Sequence, residues 1–419
     1  MSADILLQAK NLCFEVPVPM SGEKKLLAEG IDLALHKGEI IGITGPNGAG
    51  KSTLLRLLSG YLAPSAGEIT YGDQSLSSLN DRQRAAYVSF MSQKGPDTFA
   101  FSVSEIVEMG SYASLGRAPG AQEREAALKA LETVGIGDLA ERRFTTLSGG
   151  EQQLVMFAQV LMQDTPVILL DEPTSSLDIG HESQLLQMLR DLCREGRGVL
   201  TAVHNLNSAA EYCDRIIMLH QGRIVSSGTP REVFTEEHLR SWYQTEVRLG
   251  TNEATGSLVV TALPKRSSGA GVHVHLIGGA GSAVALTREL YLLGCTISGG
   301  AAHELDSDAK IWESLGAEYV TVPAFGEIDR FSFQRAEAMV KQADITILCS
   351  FPVGSGNQAN LELAKRAKRL VIAEEPLERT FFTSEAQQLF ESLKDNSPSV
   401  PTHDIADLVR ELAGRKNKE

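Results

Sequence analysis

The sequence has little positive charge and no long apolar run, and each absence excludes a class of function. Its 39 Lys and Arg residues are outnumbered by 53 Asp and Glu residues, which gives a formal net charge of -14. Proteins that coat nucleic acids need clustered basic residues, so we expect no nucleic-acid partner. No stretch approaches the roughly 18 to 20 consecutive apolar residues that span a bilayer.

Two further observations bear on location and on redox chemistry. The amino-terminal stretch MSADILLQAKNL lacks the basic and long apolar regions of a signal peptide, so we expect a cytoplasmic protein that is at most peripheral to a membrane. The five cysteines are odd in number, widely spread and free of any CxxC pair. This usage favours free thiols in a reducing compartment over disulfides or a metal site.

The length of 419 residues is too great for one ordinary core and predicts two domains. Small and polar residues around 248–271, in TNEATGS and PKRSSGAG, predict a linker over residues 249–270, although TGSLVVTAL within it could be a strand. We therefore predict a first domain over 1–248 and a second over 271–419. In the second domain, apolar runs such as VHVHLIGG and ITILCS alternate with helical stretches, which predicts an α/β fold with a mostly parallel sheet.

A glycine-rich turn joins a strand-like run at 38–44 to an apolar-periodic stretch at 52–58. It fits G-x-x-x-x-G-K-[ST], the phosphate-binding loop. In such a loop backbone N–H groups cradle phosphate oxygens, Lys51 reaches the β- and γ-phosphates of ATP, and the Ser52 hydroxyl binds Mg²⁺. The predicted nucleotide-binding residues of this loop are Gly45, Pro46, Asn47, Gly48, Ala49, Gly50, Lys51, Ser52 and Thr53.

Two adjacent carboxylates follow a short all-apolar run at 167–170, which predicts a buried parallel strand. Ligands of open α/β sheets bind where strands end. Neighbouring residues of a strand point to opposite faces, so the two carboxylates suit different tasks. We expect Asp171 to hold Mg²⁺ through water and Glu172 to polarise the water that attacks ATP.

Together with these motifs, the sequence Leu147, Ser148, Gly149, Gly150 and Glu151 resembles the signature of the ATP-binding cassette (ABC) proteins, in which Gln is commoner at the last position. The resemblance covers about the first 240 residues. It implies a P-loop ABC ATPase domain with a RecA-like core and a helical subdomain. It also implies a head-to-tail homodimer, in which Ser148, Gly149 and Gly150 of one copy bind the γ-phosphate held by the other copy.

Further elements of the family follow in order. Gln93 resembles the glutamine that touches Mg²⁺ and water, Asp178 lies in a stretch that resembles the loop that crosses to the partner subunit, and His204 resembles the histidine that contacts the γ-phosphate. The aromatic residue that stacks on adenine in the family is expected near Val16, which is not aromatic. Phe14, on the same face of the strand, is the alternative.

The segment at 97–110 resembles the corresponding part of ATPases that serve importers of iron-siderophore, haem and cobalamin complexes. The resemblance implies integral-membrane permease subunits as partners and, indirectly, a substrate-binding protein. An apolar cluster here could instead only pack the helical subdomain. The competing interpretation is a soluble ABC ATPase that works in cofactor or cluster assembly.

The second domain carries a weaker signal. Gly279 and Gly281 follow a strand and fit only G-x-G, so a tight turn without a ligand competes with a dinucleotide loop. Asp306, Asp308 and the segment 354–360 also follow predicted strands and are expected at the same sheet edge. The domain is similar to carboxy-terminal extensions of some cobalamin-type importer ATPases. We expect a smaller Rossmann-like domain that acts as a nucleotide or corrinoid sensor, with an enzyme as the alternative.

Overall fold

The computed structural model describes residues 4–17, 24–93, 101–115, 120–267, 271–324, 326–375 and 379–416. The chain divides into two compact units, Met1–Ala262 and Leu263–Glu419. Within the described ranges, no helix is both long enough and apolar enough to cross a membrane.

The first unit contains twelve strands and nine α-helices among its described residues. The strands are β1 (Ile5–Pro17), β2 (Lys24–His36), β3 (Ile40–Thr44), β4 (Ala66–Tyr71), β5 (Gln74–Ser75), β6 (Val88–Met91), β7 (Val167–Asp171), β8 (Gly198–Ala202), β9 (Arg215–His220), β10 (Arg223–Gly228), β11 (Val247–Thr251) and β12 (Leu258–Ala262). The helices are α1 (Lys51–Leu58), α2 (Asp81–Arg84), α3 (Val103–Leu115), α4 (Ala121–Thr133), α5 (Gly149–Gln163), α6 (Ile179–Arg194), α7 (Leu206–Tyr212), α8 (Pro230–Val233) and α9 (Glu236–Tyr243). Short 3-10 turns lie at Leu76–Ser78, Gly137–Leu139 and Phe144–Thr146.

Two sheets make up the body of this unit. The smaller is antiparallel with the strand order β2-β1-β4-β5, and the larger has the order β10-β9-β3-β8-β7-β6. Strands β9, β3, β8, β7 and β6 run parallel, while β10 pairs antiparallel with β9. Every residue of β3, β7 and β8 is buried, as expected for parallel strands covered on both faces. The phosphate loop therefore begins where the buried strand β3 ends, and the two carboxylates lie at the end of the buried strand β7.

Helices α3, α4 and α5 pack on one another and form the helical part that the sequence predicts. Val107, Leu131 and Phe157, one from each helix, are fully buried in a shared apolar cluster. The mixed α/β fold with a parallel sheet and a helical subdomain is thereby confirmed for the first unit.

A hairpin of β11 and β12 ends the first unit. Val247 and Leu258 bury their side chains in the core, and Asn207 on α7 pairs with the outer backbone of β12. The Asn207 amide donates to the carbonyl of Val260 at 3.3 Å and accepts from its N–H at 2.7 Å. The linker predicted over 249–270 overlaps this hairpin. Composition places the start of the linker too early, because the polar stretch TNEATGS contains the hairpin turn rather than a free tether.

The second unit contains six strands and six α-helices among its described residues. The strands are β13 (His273–Ile277), β14 (Thr296–His303), β15 (Glu318–Val322), β16 (Ile345–Leu348), β17 (Leu370–Glu374) and β18 (Ser399–Pro401). The helices are α10 (Val284–Leu292), α11 (Ser307–Ser314), α12 (Arg330–Gln342), α13 (Ala359–Ala364), α14 (Ser384–Lys394) and α15 (Ile405–Lys416), with a 3-10 turn at Thr402–Asp404.

All six strands of this unit form one parallel sheet in the order β15-β14-β13-β16-β17-β18. In chain order this is 3-2-1-4-5-6, the order of the Rossmann fold. The predicted Rossmann-like domain is confirmed. The order reverses between β13 and β16, so ligands of this unit are expected near the carboxyl ends of its central strands.

Candidate functional site

The phosphate loop leaves the buried strand β3 and leads directly into α1. Gly45, Gly48 and Gly50 have φ values of 146°, 80° and 104°, which side chains rarely adopt. A Cβ atom on Gly45 would lie 2.2 Å from the carbonyl oxygen of Leu219. Glycine is therefore required at the first position of the loop for space as well as for conformation.

The ammonium group of Lys51 is held inside this loop. Its Nζ donates to the carbonyl oxygens of Gly45 at 2.8 Å and Pro46 at 3.4 Å. Burial lowers the pKa of Lys51, while the carboxylates of Glu172 and Asp171 act in the opposite direction. The cation is thus placed where phosphate oxygens of a nucleotide can replace neutral carbonyls as its partners.

Ser52 and Asp171 meet across the ends of the strands. The Ser52 hydroxyl donates to Oδ1 of Asp171 at 3.0 Å, and Oδ2 of Asp171 is buried without a hydrogen-bond partner. Burial raises the pKa of Asp171, against the lowering effect of the Ser52 hydrogen bond. A buried carboxylate oxygen without a partner, beside a hydroxyl, is a hard oxygen pair of the kind that Mg²⁺ prefers.

Glu172 departs from the expected geometry. Strand β7 ends at Asp171, and Glu172 has φ of 57°, so strand alternation does not set the direction of its side chain. The carboxylate is only 10% exposed and lies between two side chains. Gln93 donates to Oε2 at 2.5 Å, and His204 pairs with Oε1. The structure therefore brings together Gln93, Glu172 and His204, which the sequence places far apart.

Ser148 caps the helix that carries the signature residues. Its backbone N–H and hydroxyl both donate to the Glu151 carboxylate, at 2.7 and 2.8 Å, and its Oγ accepts from the Glu151 N–H at 3.3 Å. These hydrogen bonds lower the pKa of Glu151. The pair forms a capping box, which explains in structural terms why Glu is accommodated where Gln is commoner.

The signature lies against the loop that carries Asp178. A Cβ atom on Gly150 would lie 3.0 Å from the Ser176 carbonyl oxygen, and one on Gly149 would lie 3.5 Å from the Ser176 side chain. Asp178 caps α6 by accepting from the His181 N–H at 2.9 Å. Within the described part of one chain, no hydrogen bond or ion pair joins Ser148, Gly149 or Gly150 to the phosphate loop.

Two residues of the site were missed by the sequence analysis. Gln153, on α5, is 7% exposed; its amide donates to Ser175 Oγ at 2.8 Å and accepts from the Ser176 N–H at 3.0 Å. It thereby ties the signature helix to the loop after Glu172. Tyr243 lies at the end of α9; burial raises the pKa of its hydroxyl, and the nearby backbone N–H of Gly45 acts in the opposite direction. Neither belongs to a motif; only the position of Gln153 two residues after the signature could have marked it.

The adenine contact stays a prediction. Phe14 lies on β1, is half-buried and packs against the apolar cluster beneath that strand. Part of its surface is exposed, and Val16 is likewise partly exposed.

The glycine turn of the second unit is held by carboxylates. Asp306 accepts from the N–H of Ala280 at 2.8 Å and of Gly281 at 3.4 Å, and Asp308 accepts from the N–H of Ala283 at 2.9 Å. Oδ2 of Asp308 is buried without a partner, and burial raises the pKa of Asp308 to about 6. The donors that a dinucleotide loop offers to phosphate are occupied here, which favours the tight-turn interpretation.

The segment at 354–360 also makes mainly internal contacts. Asn357 accepts from the Gly354 N–H at 2.8 Å and donates to the Pro352 carbonyl at 2.9 Å. Asn360 is 2% exposed and donates to the Ala301 carbonyl at 3.0 Å. This segment follows β16 and, like the glycine turn, lies at the carboxyl edge of the sheet. Asn357 shapes the turn itself, whereas Asn360 ties the segment to β14 and has a buried Oδ1 without a hydrogen-bond partner.

Both units resemble known proteins. A family model described as ABC transporter matches residues 28–175, and one described as MJ0874 family matches residues 297–409. The cobalamin import ATP-binding protein BtuD of Halobacterium salinarum is 35% identical over 331 residues, which cover 78% of this chain and 83% of that protein. The hemin import ATP-binding protein HmuV of Bordetella bronchiseptica is 42% identical over 249 residues, 57% of this chain and 92% of that protein.

Solved structures agree with these relatives. A chain of a metal-chelate type ABC transporter in an inward-facing conformation is 27% identical with a TM-score of 0.53, covering 62% of this chain and 98% of its own. A dimeric bacterial ABC transporter cassette is 28% identical with a TM-score of 0.50, covering 54% of this chain and 99% of its own.

Replacing Glu172 by Gln tests the carboxylate held by Gln93 and His204. We expect ATP binding to persist and the rate of hydrolysis to fall by roughly 10² to 10⁴, the usual cost of a lost general base. Phosphate release and nucleotide binding are to be measured in parallel. Glu125→Gln, on the exposed side of α4, is the control. Hydrolysis at the wild-type rate in Glu172→Gln would show that another group activates the water.

Proposed function

Because the chain belongs to the family of ABC transporter ATP-binding proteins, we propose that the ATP hydrolysis it couples to transport powers the import of cobalamin or of an iron chelate such as haem. The observation that carries this proposal is the extent of the match to the cobalamin import protein. That match covers 78% of the chain, more than the 262 of 419 residues in the first unit, whereas the match to the hemin import protein covers 57%. Because the match to the cobalamin import protein includes part of the second unit, it favours a corrinoid over haem as the transported substrate.

The site supports a division of tasks among the residues around ATP. Lys51 and the backbone of the phosphate loop bind the β- and γ-phosphates. Ser52 Oγ, Asp171 and Gln93 are the proposed ligands of Mg²⁺, and the bound ion would neutralise charge on the phosphates. Glu172 orients the attacking water and accepts its proton, and His204 contacts the γ-phosphate. Because Gln93 and His204 both hold the Glu172 carboxylate, they also position the base.

A second copy of the chain is proposed to complete each nucleotide site. In the described residues the signature contacts Ser176 of its own chain and not the phosphate loop. A helix N-terminus such as that of α5, with Ser148, Gly149 and Gly150 at its start, favours an anion. One similar solved cassette is dimeric. A head-to-tail dimer of this chain would bring the signature of one copy to the phosphates held by the other.

Mixing two inactive variants tests this shared site. Lys51→Ala removes the cation from the phosphate loop, and Ser148→Arg places a bulky side chain at the signature. In a head-to-tail heterodimer one site combines both defects and the other combines two intact halves, so we expect the mixture to regain hydrolysis that neither variant shows alone. Thermal melting checks that each variant is folded. A rate equal to the sum of the two parent rates would mean that each chain works alone.

Helix α3 offers a surface for a membrane partner. Val103 and Val107 face the core. Met109 and Tyr112 are 38% and 54% exposed, and Phe101, just before the helix, is 39% exposed. Residues 97–100 of the segment predicted to dock the permease lie outside the described residues. We propose that the exposed side of α3 contacts integral-membrane permease subunits at the inner face of the cell membrane, and that a substrate-binding protein delivers the chelate to them.

Co-purification from detergent-solubilised membranes tests the membrane partner. We expect the wild-type chain to recover a permease that mass spectrometry identifies, and the double variant Met109→Ser, Tyr112→Ser to lose it because the apolar contact is removed. Leu128→Ser is the matched control, since Leu128 is an exposed apolar residue on the neighbouring helix α4. Recovery of soluble assembly proteins alone would favour the competing role in cofactor or cluster assembly.

The second unit is proposed to regulate the ATPase and not to be required for hydrolysis. Every residue assigned to the nucleotide site lies between Phe14 and Tyr243, within the first unit and its own apolar clusters. Domains with separate cores commonly fold independently.

Truncation after Ala262 is expected to leave a folded ATPase with a basal rate close to that of the full chain. Truncation after Arg248 is expected to be less stable, because it removes β12 and exposes the core position filled by Leu258. Thermal melts and basal rates of the two truncations are compared with the intact chain. A folded 1–262 chain without hydrolysis would contradict the proposed independence.

A further inference from the structure

A cavity of about 630 Å³ opens at the carboxyl edge of the second unit's sheet. It lies beside the ends of β16 and β17 and against α14, and Ser350, Glu374 and Phe390 contribute to its wall. Carboxyl ends of parallel strands are the usual ligand-binding edge of such sheets. The volume falls within the range of about 300 to 1,000 Å³ typical of small-molecule pockets.

Arg379 lines this cavity with a guanidinium group that lacks an anionic partner. Its Cζ lies 4.4 Å from the ring centre of Phe390 and 5.7 Å from that of Phe351. Nη1 is buried without a hydrogen-bond partner, and no described carboxylate forms an ion pair with this side chain. Burial lowers the pKa of Arg379 to about 10. A buried charged donor without a partner is costly, so a bound anion would satisfy a group that the protein leaves open.

A second donor without a partner lines the same cavity. The hydroxyl of Ser399, at the start of β18, is buried and makes no hydrogen bond. Arginine and hydroxyl donors are the groups that commonly bind phosphate and carboxylate oxygens, the arginine often through two parallel hydrogen bonds. The two unsatisfied donors therefore point to an oxyanion.

The cavity wall also contains carboxylates, so its ligand needs hydrogen-bond donors in addition to negative charge. Glu374, Glu375 and Glu391 line the cavity, and Glu374 is paired with Lys394 at 3.8 Å. Ionised carboxylates only accept hydrogen bonds, so they suit hydroxyl or amino groups. A bare anion would leave these acceptors unused and would be repelled by them.

We propose that this cavity binds a small molecule that carries a phosphate or carboxylate group together with hydroxyl or amino groups. Arg379 and Ser399 hold the oxyanion, and the glutamates accept hydrogen bonds from the remainder. The glycine turn after β13 does not compete for the oxyanion, because Asp306 and Asp308 occupy its N–H donors. The binding site is independent of which chelate is transported.

Calorimetric titration of the full chain tests this site with three probes: AMP, malate and inorganic phosphate. We expect AMP or malate to bind, and to bind about tenfold or more weakly after Arg379→Gln, which removes the charge-assisted hydrogen bonds. Inorganic phosphate is expected to bind more weakly than the preferred probe, since it offers few donors to the glutamates. Tighter binding of AMP would identify the bound oxyanion as a phosphate, and tighter binding of malate would identify it as a carboxylate.

Two further variants keep the test decisive. Ser399→Ala removes only a hydroxyl without a partner, so it is expected to fold normally and to weaken binding severalfold. Arg288→Gln, on the exposed side of α10, is the matched control and is expected to bind like the wild type. Binding to the phosphate loop of the first unit is common to all variants and cancels in the comparison. Equal affinities of wild type, Arg379→Gln and Ser399→Ala for every probe, or no binding of any probe at millimolar concentration, would overturn the proposal.

Discussion

The hydrogen bond from Ser52 to Asp171 connects the two halves of the nucleotide site. Strand β8 lies between β3 and β7, so the first turn of α1 must reach across its end to meet the carboxylate. That reach depends on three neighbouring parallel strands ending at one level. The level is maintained because every residue of these strands is packed in the core, where a shift along the strand would break that packing and would draw the polar residues at the strand ends into it. The position of the site is thus a consequence of core packing in the sheet.

How far the sequence predicts this site depends on whether a residue acts through a local motif. The phosphate loop and Asp171 follow from glycine spacing and an apolar strand, because the backbone alone brings them to the sheet edge. The sequence also places Glu172 after this strand, but its left-handed backbone and its contacts with Gln93 and His204 depend on tertiary structure that no short pattern records. Gln153 was missed because its role comes from packing between α5 and the loop after β7, which no short pattern records.

The second unit shows the same limit more sharply. The strands and their order in the sheet agree with the predicted Rossmann-like fold, because apolar runs that alternate with helical stretches are a strong sequence signal for such a fold. The glycine turn, by contrast, has a pattern compatible with phosphate binding, while its N–H groups are occupied by carboxylates about 25 residues further along the chain. Arg379 lies outside any regular element, so its burial against Phe351 and Phe390 becomes visible only in three dimensions.

The pairing of Asn207 with Val260 has a consequence for self-association. A two-stranded sheet exposes two edges, and an exposed edge is a template for pairing with a strand of another molecule. The Asn207 amide donates to and accepts from the outer backbone of β12, as a neighbouring strand would at that position. This edge is therefore blocked by a side chain of the same chain. If two copies of the chain come together in the proposed dimer, this blocked edge would protect them against strand exchange and aggregation.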